Sequence, residues 1–406
     1  MREMKDTKQW LGPIPKNWEY IPGKYVFHYR SEKGNDNPVL LAATQKNGMY
    51  PQDLLEGVVK VKENTDLQQF QTVHKNDYVI SLRSFQGGFE MSDYEGVCSP
   101  AYQVFFNQKP IDHRYYKYLF KSTGFIQEMD SVTVGIREGK NIPYANFGKT
   151  FIPYPSLDEQ SRIASYLDSH IAKIDDSIAR YKALSDKLDE YRKAVITKAV
   201  TEGVRGKRTM KNSSEVWIGQ IPSEWSVVKI KYLVSLSGER AETNDGYLSM
   251  ENVESWTGKF VYTGASAEGD TLKIYPGQVI FGKLRPYLAK AYSVKQEGCC
   301  SGEFLVFNIG TINACYFRYG LTTTTFVNRV DVSTYGTKMP RANAGFITNL
   351  LFPVPPEDEQ AEIVAYLDKK CSDIDSSKEK IGNVIKKLEE YKKSLIYNAV
   401  TGKIEC

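Results

Sequence analysis

Residues 153–160, PYPSLDEQ, open the stretch of sequence that decides the fold, because residues 353–360, PVPPEDEQ, open a second copy of it. Each copy continues through Y-L-D, I-D and E-Y to A-V-T, and the spacing of these motifs is identical in the two copies. Matched residues are always 200 positions apart, as in 358 − 158 for the aspartates of D-E-Q. A repeat of this kind predicts a molecule built from two equivalent halves.

The repeated stretch has the pattern of a long helix. Its prolines suit the residues just before a helix, and Asp158 and Glu159 put negative charge in the first turn, where the helix dipole favours it. Apolar residues then recur at steps of three and four, which is typical of a coiled-coil seam. In the first copy the seam consists of Ile163, Leu167, Ile171, Ile174, Ile178, Tyr181, Leu184, Leu188, Tyr191 and Val195. The second copy has one break, where Lys378 takes the place of Ile178.

About 40 residues at 1.5 Å per residue give each helix a length of about 60 Å. A helix of that length with one narrow apolar stripe needs a partner helix, and the obvious partner is the other copy. On periodicity alone, a simpler alternative stays open, in which two amphipathic helices are buried in one large core. The duplication favours a coiled-coil rod between two heads that are related by a pseudo-twofold axis.

A shorter repeat, W-x-G-x-I-P-x-x-W, precedes each head, at 10–18 and again at 217–225. We interpret it as a tryptophan-anchored turn that packs the start of each domain. Each head then contains short β-prone runs separated by turn residues, and the first head also contains a predicted helix over 113–129. The strands are predicted at 78–81, 101–106, 278–281 and 303–307. The heads share these landmarks but differ strongly elsewhere, as two readers of different targets would.

These repeats predict an α+β fold with two tandem mixed α/β domains joined by two long α-helices. The linker is polar, basic and contains Gly and Ser. The expected segments are the first head at 1–152, the first helix at 153–202, the linker at 203–216, the second head at 217–352 and the second helix at 353–406.

The composition indicates a soluble globular protein, since the 406 residues are 41% hydrophobic and 25% charged. A net charge of +4 excludes a histone-like polycation, so nucleic-acid binding requires local basic patches. The N-terminal residues lack the apolar core of a signal peptide, and no apolar run approaches membrane-spanning length. The six cysteines form no C-x-x-C, which argues for a reducing compartment and against a disulfide framework or a zinc site. We therefore expect a cytoplasmic protein.

The sequence offers no active site. G-V-R-G-K at 203–207 lacks the spacing of a phosphate-binding loop, and no apolar strand precedes it. N-I-P-Y at 141–144 resembles the N-P-P-[YF] motif of amino-methyltransferases, but its second residue is Ile and no glycine-rich cofactor loop follows a strand. The four histidines are scattered, and no nucleophile is paired with a base. We expect this chain to bind no metal or cofactor and to catalyse nothing.

Basic and polar loops take matching positions in both heads. One loop follows a strand, at 81–88 in the first head and at 282–290 in the second, and the other precedes the long helix, at 135–141 and 336–343. Arg and Lys suit phosphates and guanine edges, whereas Asn and Gln suit adenine edges. Any one of these could be an ordinary surface loop, but two per head in both heads favour a surface that faces DNA. The candidate contacts are Arg83, Ser84, Gln86, Arg137, Lys140, Asn141, Lys283, Arg285, Tyr287, Lys338, Arg341 and Asn343.

Three features together resemble the specificity (S) subunits of type I restriction-modification enzymes: the tandem W-x-G-x-I-P-x-x-W motifs, the K-L-R-P-Y-L loop at 283–288, and the D-E-Q…Y-L-D helices that end in A-V-T. The resemblance covers essentially the whole chain. It implies that the heads are target-recognition domains, each gripping a few base pairs of a bipartite, asymmetric site in double-stranded DNA. It also implies that the long helices form an antiparallel coiled coil, which sets the unspecified spacer and docks the modification subunits. The first head departs from the pattern, since S-L-R-S at 81–84 stands where the second has K-L-R-P-Y-L.

The same resemblance implies that this chain determines the DNA sequence specificity and that its partner subunits carry out the reactions. Methyl transfer from S-adenosylmethionine would belong to two modification subunits. ATP- and Mg-dependent translocation and cleavage would belong to restriction subunits, in a system of host defence against foreign DNA. Two heads tens of Å apart could reach successive major grooves on one face of the DNA, about 34 Å from each other.

Three alternatives stay open at this point. The chain could serve a system that methylates without restricting. An autonomous methyltransferase would need a cofactor loop and an intact N-P-P-[YF]. A coiled-coil scaffold whose heads bind proteins would have little reason to carry paired Lys, Arg and Asn loops at matching positions.

Overall fold

The computed structural model describes residues 3–7, 10–34, 39–45, 47–55, 67–82, 88–133, 142–267, 269–334, 336 and 338–406. The chain divides into two compact units, one made of Met1–Arg180 with Asn383–Cys406 and the other of Tyr181–Gly382. This division differs from the expected segments, because it cuts both long helices in the middle. Each unit contains a head, the first part of the helix that follows it and the last part of the other long helix. The apolar stripe of α4 is buried in the first unit from Ile163 to Ile178, whereas Leu184 and Tyr191, further along the same stripe, are 46% and 50% exposed.

The first unit is built on a four-stranded antiparallel sheet in the order β4-β11-β8-β9. Smaller two-stranded pairs surround it. The strands are β1 Met4–Lys5, β2 Ile14–Pro15, β3 Glu19–Pro22, β4 Phe27–Arg30, β5 Leu41–Thr44, β6 Gly48–Pro51, β7 Gln71–Val73, β8 Tyr78–Ile80, β9 Phe89–Met91, β10 Gly96–Cys98, β11 Gln103–Asn107 and β12 Phe151–Tyr154. The helices are α1 His113–Lys121, α2 Thr123–Ser131, α3 Tyr144–Lys149 and the long α4 Leu157–Glu202, which continues into the second unit.

The prediction of one continuous helix over 113–129 was wrong, because Ser122 separates α1 from α2. Ser122 has an extended backbone, and its buried hydroxyl donates to the carbonyl oxygen of Leu119 (2.7 Å) instead of letting the helix continue. The break turns Gly124 toward two aromatic side chains. A Cβ at position 124 would lie 2.6 Å from the ring of Tyr397 and 3.0 Å from that of Trp10, so only glycine fits this close approach.

The second unit repeats the first. Its sheet has the antiparallel order β16-β21-β18-β19, which matches β4-β11-β8-β9 strand for strand. The strands are β13 Met210–Asn212, β14 Gln220–Pro222, β15 Ser226–Lys229, β16 Val234–Ser237, β17 Thr271–Ile274, β18 Val279–Gly282, β19 Ala291–Ser293, β20 Gly298–Ser301, β21 Phe304–Ile309 and β22 Leu351–Val354. The helices are α5 Ala314–Leu321, α6 Thr324–Asp331, α7 Ala344–Asn349 and the long α8 Glu357–Val400.

Strands occur in the expected linker and at the start of both segments that were expected to be long helices, so the helices themselves begin at Leu157 and Glu357. The segment at 203–216, expected as a linker, contains β13, which pairs with β14 just as β1 pairs with β2. The proline-containing segment before each long helix is an edge strand. In the first unit Pro153 lies opposite Tyr20, and in the second Pro353 lies opposite Val227. An edge strand tolerates proline, because the missing N–H need not serve a second neighbour.

Each head is anchored by a buried tryptophan, as the W-x-G-x-I-P-x-x-W motif predicts. Trp18 and Trp225 are each 1% exposed and lie in the two main cores. The core of the first unit is unusually aromatic, with Phe27 in contact with five other rings at centroid distances of 5.1–6.0 Å. Leu167 from α4 and Val400 from α8 complete the same core. In each unit the largest apolar core is thus shared by the head and the two long helices.

The glutamine of D-E-Q joins each head to its long helix by the same two hydrogen bonds. Gln160 accepts from the backbone N–H of Asp112 (2.9 Å) and donates to the carbonyl of Pro155 (2.9 Å). Gln360 accepts from the backbone N–H of Asn313 (2.8 Å) and donates to the carbonyl of Pro355 (3.0 Å). Both glutamines are buried. The motif therefore satisfies backbone groups that would otherwise be buried without partners.

The glutamate of D-E-Q in the second unit is fully buried and holds two other segments. The carboxylate of Glu359 accepts from the guanidinium of Arg208 and from the indole N–H of Trp225 (2.9 Å). At the surface, Arg205 pairs with Asp358 (2.5 Å) and Glu362 (2.8 Å), which lie close to Glu359 on α8. Two basic residues of the expected linker, Arg205 and Arg208, are thus bound to the first turns of α8.

Ion pairs connect α4 and α8 within each unit. In the second unit Asp189 of α4 pairs with Lys378 of α8 (2.5 Å). Arg192 of α4 pairs with Asp375 of α8. In the first unit Asp175 pairs with Lys392 (2.7 Å). Lys378, which interrupts the apolar seam, therefore has a carboxylate partner on the other helix. Within the described part of the chain, no helix is long and apolar enough to cross a membrane.

Candidate nucleic-acid interface

In the first head, the six candidate residues Arg83, Ser84, Gln86, Arg137, Lys140 and Asn141 lie outside the described residues, so they stay predictions. The ends of their loops are described. The backbone N–H of Ser81 donates to the carbonyl of Gly88 (2.8 Å), which closes the loop between β8 and β9. Gln103 at the start of β11 holds the end of the other loop, since its amide donates to the carbonyl of Ile142 (2.9 Å) and accepts from the N–H of Tyr144 (2.7 Å).

In the second head, the first candidate loop joins β18 to β19 through a short 3-10 turn, Pro286–Leu288. Its base is closed by a hydrogen bond from the N–H of Gly282 to the carbonyl of Lys290 (2.8 Å). Arg285 (φ 50°) and Ala289 (φ 48°) flank the turn in the left-handed region, which is strained for residues other than glycine. Arg285 is exposed and Tyr287 is 44% exposed, so the turn presents both side chains to solvent.

The second candidate loop, 336–343, is hydrogen-bonded to the first. The N–H of Arg285 donates to the carbonyl of Pro340 (2.8 Å), and the N–H of Ala342 donates to the carbonyl of Lys283 (2.8 Å). Leu284 and Arg341 form an antiparallel bridge between these two bonds. Two loops that lie about 50 positions apart in the sequence therefore make one continuous surface. We call residues 283–288 and 338–343 the second-head surface.

Glu303 supports both loops of the second-head surface, and sequence reasoning missed it. Its carbonyl accepts from the backbone N–H of Lys283 (2.9 Å), and its carboxylate accepts from Nε (3.1 Å) and a terminal nitrogen (2.8 Å) of Arg341. The hydrogen bonds from Arg341 lower the pKa of the Glu303 carboxyl, so it is ionised at neutral pH. The only signal in the sequence was an acidic residue at the start of a predicted strand, which gives no hint of its partners.

The other candidates in the second head have different surroundings. Lys338 is exposed. Asn343 is the N-cap of α7, and its side-chain oxygen accepts from the backbone N–H of Phe346 (3.0 Å), so one of its two polar groups is engaged in capping. The two loops contain no acidic residue of their own. The second-head surface is therefore basic, with Glu303 as the carboxylate that contacts it.

The family model described as "Type I restriction modification DNA specificity domain" matches residues 15–183 and again residues 222–387. The chain belongs to this family. Both matches run from a head into the long helix that follows it, so the domain of the family corresponds to the repeated half of this chain.

Known members of the specificity family show the same relationship at low identity. The chain is 26% identical to the type I restriction enzyme EcoDI specificity subunit of Escherichia coli, over 66% of this chain and 66% of that subunit. It is 24% identical to the MjaVIII specificity subunit of Methanocaldococcus jannaschii, over 96% of this chain and 94% of that subunit. The duplicated architecture is therefore that of a type I specificity subunit.

Solved structures share the fold of this specificity-family chain. One, from work on complex assembly and conformational transition of the type I R-M system, has a TM-score of 0.69 with 13% identity and covers 96% of this chain and 99% of its own. The crystal structure of the HsdS subunit from Thermoanaerobacter tengcongensis has a TM-score of 0.54 with 13% identity and covers 98% of this chain and 100% of its own. At such identity the likeness extends to the fold alone.

Tyr144 and two of the cysteines have structural surroundings in this specificity-family chain. The Tyr144 hydroxyl of N-I-P-Y donates to the carbonyl of Phe27 (2.8 Å). Burial raises the pKa of the Cys98 and Cys300 thiols to about 12, so both are unreactive. Among the described residues, no group of three or more His, Cys, Asp or Glu side chains could hold a metal ion.

Proposed function

We propose that this chain reads a bipartite, asymmetric site in double-stranded DNA, with one half-site bound by each head. The observation that carries the proposal is the second-head surface, where two basic loops without any acidic residue are hydrogen-bonded into one exposed face of a DNA specificity domain. Exposed Arg and Lys side chains on a fixed backbone suit contacts with phosphates and base edges. The heads have the same scaffold and different loops, which suits two different half-sites.

The long helices would act as one antiparallel coiled coil that fixes the spacer between the half-sites and docks two modification subunits. The ion pairs between α4 and α8 support this arrangement. Tyr191 and Tyr391 occupy the same place in the two copies and are 50% and 54% exposed, so they offer matched surfaces to two identical partners. The partners would carry the S-adenosylmethionine, ATP and Mg chemistry, and restriction subunits would join in the full complex for host defence.

The experiment that tests this function is a map of methylated bases in the host genome, with and without the gene for this chain. We expect the loss of one two-part, asymmetric adenine-methylation motif. That motif would define both half-sites and the spacer. If the map does not change and the chain also fails to co-purify with modification subunits, the proposal is wrong. Methylation without restriction of unmodified DNA would instead identify a methylation-only system.

A sharper test uses Arg285, which is exposed and has no role in the core. Arg285→Ala should reduce methylation at the motif by about tenfold or more, because a single base or phosphate contact contributes about 1–3 kcal/mol. Assembly with modification subunits should be unaffected. Loss of assembly would show instead that Arg285 is structural.

The role of the helices as a ruler is tested by inserting one heptad into α4 and one into α8. Seven residues add about 10 Å of helix, which corresponds to about 3 base pairs at 34 Å per turn. We expect the spacer in the methylation motif to lengthen or methylation to stop. An unchanged spacer in an active variant would contradict the ruler.

A further inference from the structure

Glu303 occupies an unfavourable place for a carboxylate if the second-head surface binds DNA. Its side chain is 30% exposed, and its charge opposes the phosphate backbone. The core does not need this side chain, since the strand β21 begins one residue later and supplies the buried residues. The role of this carboxylate must therefore come from its contact with Arg341.

What Glu303 holds is the geometry of a neighbouring arginine. Its two carboxylate oxygens accept from Nε and a terminal nitrogen of Arg341, which fixes the plane and direction of the guanidinium (3.1 and 2.8 Å). A lone arginine on a surface samples many rotamers and would lose that freedom on binding. An arginine already held by a carboxylate has less entropy to lose.

Glu303 also sets the first loop, through its backbone. Its carbonyl accepts from the N–H of Lys283, two residues before the left-handed Arg285. Glu303 itself is fixed by the preceding Gly302, where a Cβ would lie 2.9 Å from the carbonyl oxygen of Asp270. The turn at Gly302 therefore fixes Glu303, and Glu303 contacts both loops of the second-head surface.

We propose that Glu303 is a positioning residue for sequence-specific DNA recognition by the second head. It orients Arg341 and anchors the 283–288 turn, so that Lys283, Arg285 and Arg341 present one fixed pattern of donors. This inference rests on the proposed function. The first head supplies a precedent, because Gln103 near the start of the matching strand holds both Ile142 and Tyr144 at the end of the matching loop.

The simpler role for Glu303 is an ordinary surface ion pair that stabilises the fold. The two roles predict different changes in the affinity for non-specific DNA. Removing a negative charge should leave non-specific DNA affinity unchanged or raise it, since that affinity follows net charge. Removing a positioning residue should lower affinity for the correct sequence alone. A general loss of fold would lower both affinities together.

The test compares Glu303→Ala and Glu303→Gln with Glu297→Ala in the full-length chain. Glu297 is the matched control, because it is an exposed carboxylate of the same head that pairs with Lys273 (2.7 Å). One measurement is hydrogen exchange at the N–H groups of Arg285 and Ala342 without DNA. The other is the ratio of affinities for a duplex that carries the methylation motif and for one of scrambled sequence.

Glu303→Ala keeps the backbone carbonyl that accepts from Lys283, but it releases Arg341 and thereby the 338–343 loop, to which Arg285 is bound and Ala342 belongs. We therefore expect both amides to exchange about tenfold faster and the affinity ratio to fall about tenfold, the size of one lost base contact. For Glu303→Gln, the exchange rates and the affinity ratio should lie between those of Glu303→Ala and the wild type, since an amide keeps one acceptor for Arg341. Glu297→Ala should change neither. Unchanged exchange at both amides, an unchanged ratio, or an equal fall in the ratio for Glu297→Ala would each overturn the proposal.

Failure of the proposed function looks different. In that case the wild-type chain itself would bind both duplexes equally, and the inference about recognition would fall with it. The exchange measurement, made without DNA, would still report whether Glu303 holds the two loops.

Discussion

The two heads hold the end of their second loop with different side chains. In the first head the neutral amide of Gln103 does so, and in the second head the carboxylate of Glu303 does so. The contacts between each head and the long helix that follows it, which we call the joints, do not differ in this way. Gln160 and Gln360 make the same two bonds, and Tyr118 and Tyr319 donate to Asp168 and Asp368 at the same 2.6 Å.

The difference follows from what each contact must do. The joints satisfy buried backbone groups, and a buried donor or acceptor without a partner costs about 1–3 kcal/mol whatever the protein binds. The loops lie at the surface, where changes in sequence cost little stability and change what is bound. Repetition at the contacts between head and helix therefore marks residues that hold the fold, and divergence in the loops marks residues suited to recognition.

The largest effect should come from the buried glutamate of the second joint. Glu359→Ala leaves the guanidinium of Arg208 and the indole N–H of Trp225 without their acceptor, so we expect a loss of about 4 kcal/mol in the free energy of unfolding. Urea unfolding measures it. Asp358→Ala is the control, since this neighbour is 67% exposed and pairs with Arg205 at the surface. A large loss from the control would mean that charge at the helix start, and not the buried joint, carries the stability.

The next effect sharpens the comparison between repeat-related ion pairs. Asp375 pairs with Arg192, which is 4% exposed, whereas the equivalent Asp175 pairs with Lys392, which is 30% exposed. Asp375→Asn should cost about 2 kcal/mol, because it leaves a buried cation, and Asp175→Asn about 0.5 kcal/mol. Equal losses in thermal unfolding would contradict this ranking by burial.

The same pair predicts a dependence on pH. Burial alone would raise the pKa of Asp375, but hydrogen bonds from Lys259 and Arg192 outweigh it and hold the pKa below its usual 3.8. A lowered pKa means that the stabilisation is complete above the ordinary value and is lost as the pH falls through the value in the folded protein. The stability difference between Asp375→Asn and the wild type should therefore shrink only in strong acid. A difference already gone at pH 5 would rule out this origin.

A smaller effect tests whether the joints are equivalent. Gln160→Ala and Gln360→Ala each remove two hydrogen bonds to backbone groups, so each should cost about 1–2 kcal/mol, and the two losses should agree. Hydrogen exchange at the N–H groups of Asp112 and Asn313 reports each joint separately. If one variant loses much more than the other, the repeat has diverged at its joints as well as in its loops.

The smallest effect on stability lies in the second-head surface. Arg285→Gly relieves a left-handed backbone and should change the free energy of unfolding by only about 0.5 kcal/mol, in the stabilising direction. DNA binding should fall as it does for Arg285→Ala. A destabilised glycine variant would show that the arginine side chain supports the fold. The contrast between structural joints and recognition loops would then fail, because a loop that differs between the heads would be needed for stability.

The sequence was sufficient where structure depends on local patterns. The duplication, the two long helices, the buried tryptophans and the two central strands of each main sheet all follow from spacing and periodicity. It failed where partners come from distant segments. Nothing near Ser122 indicates that the helix must break there to bring Gly124 against Tyr397, and nothing near Glu303 indicates Arg341. The predicted loops of the second head proved to be joined, although no local signal pairs Arg285 with Pro340.

The division of the two units has a consequence for the order in which the protein is made. The second unit is one uninterrupted run, Tyr181–Gly382, so a ribosome has synthesised all of it before reaching residue 383. The first unit needs Leu395 and Val400 for its core, and the hydroxyl of Tyr115 donates to the carbonyl of Val400 (2.8 Å). The head that is translated first is therefore completed last. Until then, the nascent chain carries an exposed apolar face on its first half, where chaperones would bind.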